Sequence, residues 1–241
     1  MKIENANVVL TGGTSGVGRQ LVEQLRGRCR LLVLARDSAR LDALASDGVE
    51  CLAADLSRQS EIERAAREIG ERLPRVDLLI HNAAVQNVPH FDAPDFDPSA
   101  IPAEITLNFT AVCTLNALLL PRLLHGGPAA ILHVNSGLAL HPKTSSAVYC
   151  ATKAALDSFS QSLRYQLEHT PVQVLQAFLP LVDTPMTAGR GSGKLSAEHA
   201  AREILRGVER DVADHDIGKV RLLRALDRLA PSLAKRILKA S

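Results

Sequence analysis

Short apolar runs alternate along this chain with stretches of helical periodicity, and that alternation restricts the fold more than any other feature. Between the runs, apolar residues recur at helical spacing, as do Val17, Leu21 and Leu25. Strands that alternate with helices form βαβ units, and continuous apolarity is typical of parallel strands covered on both faces. The sequence therefore predicts an α/β fold, a single doubly wound parallel sheet flanked by helices. Its six predicted strands cover residues 7–10, 31–34, 49–53, 76–80, 131–134 and 172–178.

Composition excludes several other classes of protein. Of 241 residues, 46% are hydrophobic and 22% charged, with no linker-like shift, so we expect one domain over residues 1–241. A net charge of +2 and an aromatic content of 3% argue against a nucleic-acid partner. The uncharged stretch 105–121 is too short and too polar for a membrane span. Scattered cysteines and the lack of a targeting segment predict a cytoplasmic protein, and the histidine spacing predicts no metal site.

A glycine-dense turn follows the first predicted strand and makes the predicted fold Rossmann-like. It lies where a strand passes into a helix, so its backbone N–H groups and the helix N-terminus can hold a pyrophosphate. Its spacing differs from the common G-x-G-x-x-G pattern, and a plain tight turn is the alternative interpretation. The cofactor-binding residues predicted here are Gly12, Thr14, Ser15, Gly16, Val17 and Gly18.

The end of the second strand favours NADP over NAD. An NAD-binding chain is expected to carry a carboxylate there, about 20 residues past the glycines. Here Ala35 stands at that place and Arg36 follows. A guanidinium can form paired hydrogen bonds with a 2′-phosphate, which a carboxylate would repel. In the alternative interpretation Asp37 accepts the ribose hydroxyls, Arg36 is a solvated charge, and NAD is the cofactor.

A tyrosine and a lysine four residues apart open the long helix predicted over residues 147–168. The spacing places Tyr149 and Lys153 side by side on one helix face. A phenol titrates near pH 10. A neighbouring ammonium and a bound oxidised nicotinamide are two cations that favour the phenolate, so together we expect them to lower the pKa of Tyr149. Ser136 ends the preceding strand, at the sheet edge where open α/β folds bind ligands. Its hydroxyl can donate to a substrate oxygen.

Together these motifs resemble the short-chain dehydrogenase/reductase family, and within it the compact bacterial oxidoreductases. The resemblance extends from Asn7 to about Met186. It is carried in order by the turn over residues 11–18, Asp55-Leu56, His81-Asn82-Ala83-Ala84, Asn108, Ser136, the Tyr149/Lys153 pair, and Val182-Asp183-Thr184-Pro185-Met186.

The resemblance implies four catalytic residues. Tyr149 would be the general acid/base, and Lys153 would lower its pKa and bind the nicotinamide ribose. Ser136 would polarise the carbonyl, and Asn108 would hold a water that connects Lys153 to solvent. The implied cofactor contacts, besides Tyr149, Lys153 and Arg36, are Asp55, Leu56, Asn82, Ala83, Pro180, Val182 and Thr184.

Three residues depart from the family pattern. His81 and Ala84 replace the asparagine and glycine of the family's Asn-Asn-Ala-Gly motif, which alters the expected geometry of that strand edge. Leu181 follows Pro180 where glycine is usual, so we expect a narrower nicotinamide pocket. The predicted substrate pocket is mostly apolar and consists of Val85, Gln86, Leu138, His141 and Leu181.

The C-terminal segment 219–241 is basic and amphipathic. It has seven Lys and Arg residues against Asp227, with four leucines interleaved at helical spacing. We expect a helix docked on its own domain or on a neighbouring subunit, broken at Pro231. A membrane-surface helix is the alternative.

The sequence as a whole predicts an NADPH-dependent oxidoreductase that reduces a carbonyl to an alcohol, or the reverse. Its partner would be a small-molecule substrate, and the chain would form a homodimer, with a tetramer possible. The alternative is a catalytically silent NADP-binding sensor or interaction protein on the same fold. The intact set of Asn108, Ser136, Tyr149 and Lys153 argues against that alternative.

Overall fold

The computed structural model describes residues 1–36, 38–47, 49–88 and 90–239, so Asp37 lies outside the described residues. Its strands are β1 (Asn7–Thr11), β2 (Arg30–Ala35), β3 (Glu50–Ala53), β4 (Leu78–His81), β5 (Ala129–Ser136), β6 (Val172–Leu179), β7 (Val182–Asp183), β8 (Leu195–Ser196) and β9 (Asp214–Asp216). Seven of them form one parallel sheet in the order β3-β2-β1-β4-β5-β6-β9, and β7 pairs with β8. The predicted fold class is confirmed.

Helices cover both faces of this sheet. They are α1 (Gly16–Leu25), α2 (Ala39–Ser46), α3 (Gln59–Arg72), α4 (Ala100–Ile105), α5 (Ala111–Leu123), α6 (Ala147–Gln166), α7 (Ala197–Glu209), α8 (Val220–Leu229) and α9 (Pro231–Lys239). Alternate strand residues enter different core layers: Val8 and Leu10 pack with α1 and α7, and Val9 packs with α3 and α5. Because both layers exclude water, both sets are apolar, which explains the continuous apolar runs.

The seventh strand, β9, is absent from the six predicted ones. Its sequence, Asp214-His215-Asp216, has no apolar residue, so periodicity cannot reveal it. Ion pairs hold it at the sheet edge instead. Arg164 donates to Asp214 at 2.9 Å and Arg224 donates to Asp216 at 2.6 Å. Charged edge strands of this kind also discourage pairing with another chain.

One continuous helical stretch of the described chain, Ala100–Leu123, is long and apolar enough to cross a membrane by length and composition. It is longer than the 105–121 run considered in the sequence. In the fold it has a buried face, on which Leu115 and Leu119 are 1% exposed and pack in the core layer of α3. That burial is typical of a core helix. The absence of a membrane span stays a prediction.

The C-terminal segment folds back onto its own sheet as α8 and α9, which meet at Pro231. The Arg224 guanidinium lies 4.6 Å from the centre of the Phe178 ring, which β6 carries. The side chains of Val220 and Leu223 reach Gly137, just after β5. These contacts bring α8 over the carboxyl ends of the strands.

Candidate active site

The glycine turn between β1 and α1 is packed so closely that side chains do not fit. Gly12 has φ +77°, and a Cβ there would lie 2.8 Å from the Cα of Ala83. A Cβ on Gly18 would lie 1.8 Å from the carbonyl oxygen of Gly12. The helix N-terminus therefore rests directly on the turn, with its backbone N–H groups open to an anion.

Asn82 holds this turn from the neighbouring strand end. Its Nδ2 donates to the carbonyl oxygens of Thr11 at 3.1 Å and Gly12 at 2.8 Å. The hydroxyl of Thr11 in return accepts from the backbone N–H groups of Asn82 and Ala83. Asn82 thus ties β4 to β1 at the point where the strand order changes direction, which is where doubly wound sheets bind ligands.

A cleft of about 1450 Å³ runs along the carboxyl ends of the strands from this turn to α8 and α9. Every predicted site residue lines it except Asn108 and His141. The structure thus brings together residues from the ends of all six predicted strands and from α6. Within the described residues there is no group of three or more His, Cys, Asp or Glu side chains that could hold a metal ion.

The end of the cleft beside β2 carries two guanidinium groups. Arg36 is exposed and lines the cleft, as expected, and Arg40 in the first turn of α2 lines it as well. Arg40 was missed because the sequence did not show where α2 begins. Asp55 lies opposite, and the pKa of its carboxyl is lowered mainly by the hydrogen bond from the Ser57 hydroxyl, with Arg36 adding a smaller effect.

The middle of the cleft holds Ser136, Tyr149 and Lys153. The Ser136 hydroxyl accepts from the backbone N–H of Leu138 at 3.1 Å, and it acts to lower the pKa of the Tyr149 phenol. The Lys153 Nζ donates to the carbonyl oxygen of Val134 at 2.8 Å and lies 5.7 Å from the centre of the Tyr149 ring. Ser146, just before α6, is in the left-handed region at φ +63°, a strained turn that starts the helix next to the cleft.

The side chains of this site do not by themselves lower the pKa of Tyr149. Desolvation of the half-buried phenol raises the pKa of Tyr149 to about 12, although Ser136 acts to lower it. Burial lowers the pKa of Lys153 to about 8, which weakens that residue as a source of positive charge. A phenolate at neutral pH therefore requires a further cation beside the ring.

Asn108 lies beneath the cleft, in a π-helical turn over Thr106–Thr110 that joins α4 to α5. Its Oδ1 accepts from the N–H of Val85, and its Nδ2 donates to the carbonyl of Val85, each at 2.9 Å. The same Nδ2 lies 3.3 Å from the Thr152 hydroxyl. Because both ends of the amide are engaged, the Asn108 side chain holds the Val85 backbone in place.

His141 is placed differently from the expectation that it lines the substrate pocket. It is 6% exposed, and its Nε2 lies 2.7 Å from Asp227 Oδ1 on α8. The substrate end is covered instead by Leu222, Leu223 and Leu226 of α8. The leucine spacing of the C-terminal segment was the signal for this cover, but nothing in the sequence showed which surface it would contact.

His81, one departure from the family pattern, belongs to a buried polar chain. Its Nε2 donates to Asn116 Oδ1 at 2.7 Å, and Asn116 Nδ2 donates to His133 Nε2 at 3.0 Å. His133 Nδ1 then donates to the Ser160 hydroxyl at 2.7 Å. Every link is satisfied when both imidazoles are neutral. Burial lowers the pKa of His81 to about 4 and holds that of His133 well below 6.5.

A doubly wound sheet with a glycine turn at its switch point and a Ser, Tyr and Lys set in the same cleft defines a nucleotide-dependent oxidoreductase. Residues 6–194 match the family model described as short chain dehydrogenase. The chain belongs to the short-chain dehydrogenase/reductase family. It is 36% identical over 187 residues to the uncharacterized oxidoreductase DltE of Bacillus subtilis (strain 168), covering 76% of this chain and 74% of that protein.

Solved structures show the same architecture. A short chain dehydrogenase from Burkholderia cenocepacia J2315 in complex with NADP superposes with a TM-score of 0.88 at 25% identity, covering 99% of each chain. A short-chain dehydrogenase from Sphingobium yanoikuyae in complex with NADPH has a TM-score of 0.81 at 29% identity, covering 95% of this chain and 94% of that one. A Burkholderia phymatum member in complex with NAD, 20% identical, shares the fold with a TM-score of 0.82, covering 95% and 96%.

Proposed function

We propose that this protein is an NADPH-dependent oxidoreductase that reduces a carbonyl group of a small molecule to an alcohol, or catalyses the reverse. One observation carries the proposal: Ser136, Tyr149 and Lys153 lie in the same cleft as the glycine turn and Arg36. A proton donor and a nucleotide-binding site would therefore share one cleft. The intact catalytic set disfavours a silent sensor on the same fold.

The residues at both ends of the turn fit a dinucleotide. The close contact of Gly18 with Gly12 leaves the backbone N–H groups of the turn free to approach a pyrophosphate. Thr184 lies against Gly16, because its Cγ2 is 3.0 Å from the position that a Cβ on Gly16 would occupy. Thr184 therefore lines the part of the cleft next to the glycine turn. When bound, the nicotinamide supplies the hydride for the carbonyl carbon.

The protein's own residues supply the proton and the orientation. The Tyr149 hydroxyl donates its proton to the carbonyl oxygen during reduction and takes it back from the alcohol during oxidation. The Ser136 hydroxyl, which lines the same cleft as the phenol, orients the same oxygen. Lys153, anchored on Val134, holds its charge beside the ring. Asn108 acts through Val85 as a positioning residue.

NADP is proposed over NAD because of charge. Arg36 and Arg40 both line the cleft beside β2, where Ala35 replaces a ribose-binding carboxylate. Two guanidinium groups attract a 2′-phosphate and give a 2′-hydroxyl no comparable partner. NADP and NADPH in two similar structures support this choice, and NAD in a third is the reason to measure both cofactors.

Replacing Arg36 by Ala is expected to weaken NADPH binding by about 10–100-fold and to leave NADH binding unchanged, since one charged hydrogen-bonding partner of the phosphate is removed. Calorimetric titrations of both cofactors with wild type and with Arg36→Ala measure this. Arg40→Ala in parallel shows whether the second guanidinium shares the phosphate. Tighter binding of NADH by wild type, or an equal loss for both cofactors, would contradict the proposed NADP preference.

Gly18→Ala is expected to prevent NADPH binding and to destabilise the fold by about 1–3 kcal/mol, the usual cost of overpacking. The new methyl group would overlap the Gly12 carbonyl oxygen, so the turn must move. The control is Gly70→Ala on α3, where a Cβ would meet only the Arg122 side chain at 3.4 Å. Urea unfolding and NADPH titration compare the two variants. Normal NADPH affinity in Gly18→Ala would refute the proposal that the glycine turn binds the cofactor.

We also propose that the chain forms a homodimer through α5 and α6, with a tetramer as the larger alternative, and that it works in the cytoplasm. Support for the interface comes from exposed apolar side chains on these helices. Leu118 on α5 is 46% exposed and Tyr165 on α6 is 69% exposed. All four cysteines are free thiols, as in a reducing compartment.

A further inference from the structure

Among the described residues, three cationic side chains line the substrate side of the cleft without a carboxylate partner; Lys219 is exposed, and the other two are partly buried. Lys143 follows β5 and Arg190 lies between β7 and β8, and both are half-buried. Arg190 Nη1 donates to Gln86 Oε1 at 2.9 Å, a neutral acceptor. Among residues 1–36, 38–47, 49–88 and 90–239, neither cation lies within 4.0 Å of a carboxylate oxygen. Their charges therefore remain unneutralised.

These two cations line the same cleft as Tyr149, and the charge of Arg190 acts on both Lys143 and the Tyr149 phenol. Burial and the positive charge of Arg190 both lower the pKa of Lys143. The charge of Arg190 also acts on Tyr149, where it favours the phenolate. Like charges that repel each other in a partly desolvated site are unfavourable, and an anion bound between them removes that cost.

The acidic residues of this region do not neutralise the pair. Asp55 is the one acidic residue among those lining the cleft in the described chain, and it lies at the opposite end, near Arg36. Glu104 acts on the Tyr149 phenol but is 2% exposed behind the cleft wall. Its carboxylate accepts from the backbone N–H and the side-chain amide of Asn87. The substrate side is therefore positive.

The wall facing these cations is aliphatic. Leu223 and Leu226 of α8 and Ile237 of α9 line the cleft, and Leu181 closes it beside the segment that carries Arg190. Such a surface favours an alkyl chain and gives few partners to a polar one. A ligand that contacts both the two cations and the aliphatic wall therefore carries an anionic group on one part and an alkyl chain on another.

We infer that Lys143 and Arg190 form an oxyanion-binding subsite, and that the preferred substrate is an aliphatic oxo compound carrying a carboxylate or phosphate group. The inference rests on the proposed carbonyl chemistry and names its substrate class. The cofactor's own pyrophosphate would bind at the glycine turn, so it does not need this subsite. Arg190 instead contacts Gln86 on the substrate side.

Matched pairs of substrates test the subsite. Straight-chain oxo acids with the carboxylate at increasing distance from the ketone are compared with their methyl esters, at saturating NADPH. For at least one pair, kcat/KM of the acid is expected to exceed that of the ester by about 10–100-fold. The acid-to-ester ratio is expected to fall close to one in the double variant Lys143→Gln/Arg190→Gln. Because each ratio is taken within one variant, a general loss of turnover cancels.

Arg67→Gln is the charge-matched control, since Arg67 is exposed on α3 and does not line the cleft. Its acid-to-ester ratio is expected to equal that of wild type. Arg190→Lys is expected to retain part of the preference. Equal turnover of acids and esters by wild type overturns the inference and leaves the proposed function standing. A preference that survives in the double variant overturns it as well.

Binding without turnover gives a second, independent test. Octanoate, octyl phosphate and 1-octanol are titrated by calorimetry into the protein saturated with NADP. At least one of the two anions is expected to bind about 10-fold or more tightly than the alcohol, with the gain lost in the double variant. The comparison of the two anions distinguishes a carboxylate from a phosphate substrate. Equal binding of all three ligands overturns the subsite, whereas failure of NADP itself to bind contradicts the proposed function.

Discussion

Tyr149→Phe is expected to lower kcat by about 10²–10⁴-fold, the usual contribution of a positioned general acid, and to leave NADPH affinity unchanged. The aromatic ring remains in the cleft, so packing around it is preserved. Only the phenolic hydroxyl is lost. The measurement is steady-state turnover of any oxo compound that the wild type reduces, together with a calorimetric titration of NADPH.

Tyr165→Phe is the matched control, because Tyr165 is the second of the chain's two tyrosines and is 69% exposed on α6. It is expected to turn over substrate like the wild type. Near-normal turnover by Tyr149→Phe would remove the phenol from the proposed mechanism. Loss of NADPH binding in that variant would show that the Tyr149 hydroxyl contributes to cofactor binding and not only to proton transfer.

The free energy of unfolding is expected to fall by about 4–5 kcal/mol between pH 6.5 and about pH 4.5, because of the buried histidines. In the folded protein the pKa of His81 is lowered to about 4 and that of His133 lies well below 6.5. In the unfolded chain both titrate near 6.5. Over this range the unfolded state binds more protons, so acid shifts the equilibrium towards it.

The geometry of the chain explains why the folded state resists protonation. A proton on His133 Nε2 would face the Asn116 amide, which already donates to that nitrogen. The positive charges of Lys153 and Arg164 disfavour a cation there as well, after the larger effect of burial. The stability that the neutral imidazoles contribute is therefore fully present above pH 6.5 and is lost as the pH falls towards the folded-state pKa values.

Urea unfolding at a series of pH values measures this loss. His81→Asn removes one of the two buried titrating groups and is expected to reduce the slope of stability against pH by about half, whatever its effect at pH 7. The control is His169→Asn, since the imidazole of His169 is 92% exposed. An unchanged slope in His81→Asn would refute the assignment of the acid sensitivity to this chain of hydrogen bonds.

The fold class could be predicted, and the residues proposed as catalytic could be brought into view, because both leave local signals in the sequence. Six parallel strands are buried on two faces and so appear as apolar runs. Ser136 ends such a run, and Tyr149 and Lys153 are one helical turn apart. The edge strand β9 could not be predicted in this way, since its residues are polar and are held by Arg164 and Arg224 from other elements.

The roles of individual side chains depended on residues distant in the sequence. Asn108 appeared as a cleft residue, but the π-helical turn directs its amide to Val85. His141 appeared as a pocket residue, but Asp227 of α8 binds it away from the cleft. His81 appeared as a departure from the family motif, and the structure shows that it belongs to a hydrogen-bonded chain with Asn116 and His133. In each case the deciding partner comes from another element.

The sequence by itself determined the layered α/β architecture, the glycine turn and the helical spacing of Tyr149 and Lys153, because periodicity and short-range spacing are properties of neighbouring residues. Only the tertiary structure decided the electrostatics. The pKa of Tyr149 follows from how completely the folded protein desolvates the phenol, and the Lys143 and Arg190 pair exists only because two distant loops meet at one cleft. Burial and Coulomb interactions depend on distances in space, which the order of residues along a chain does not contain.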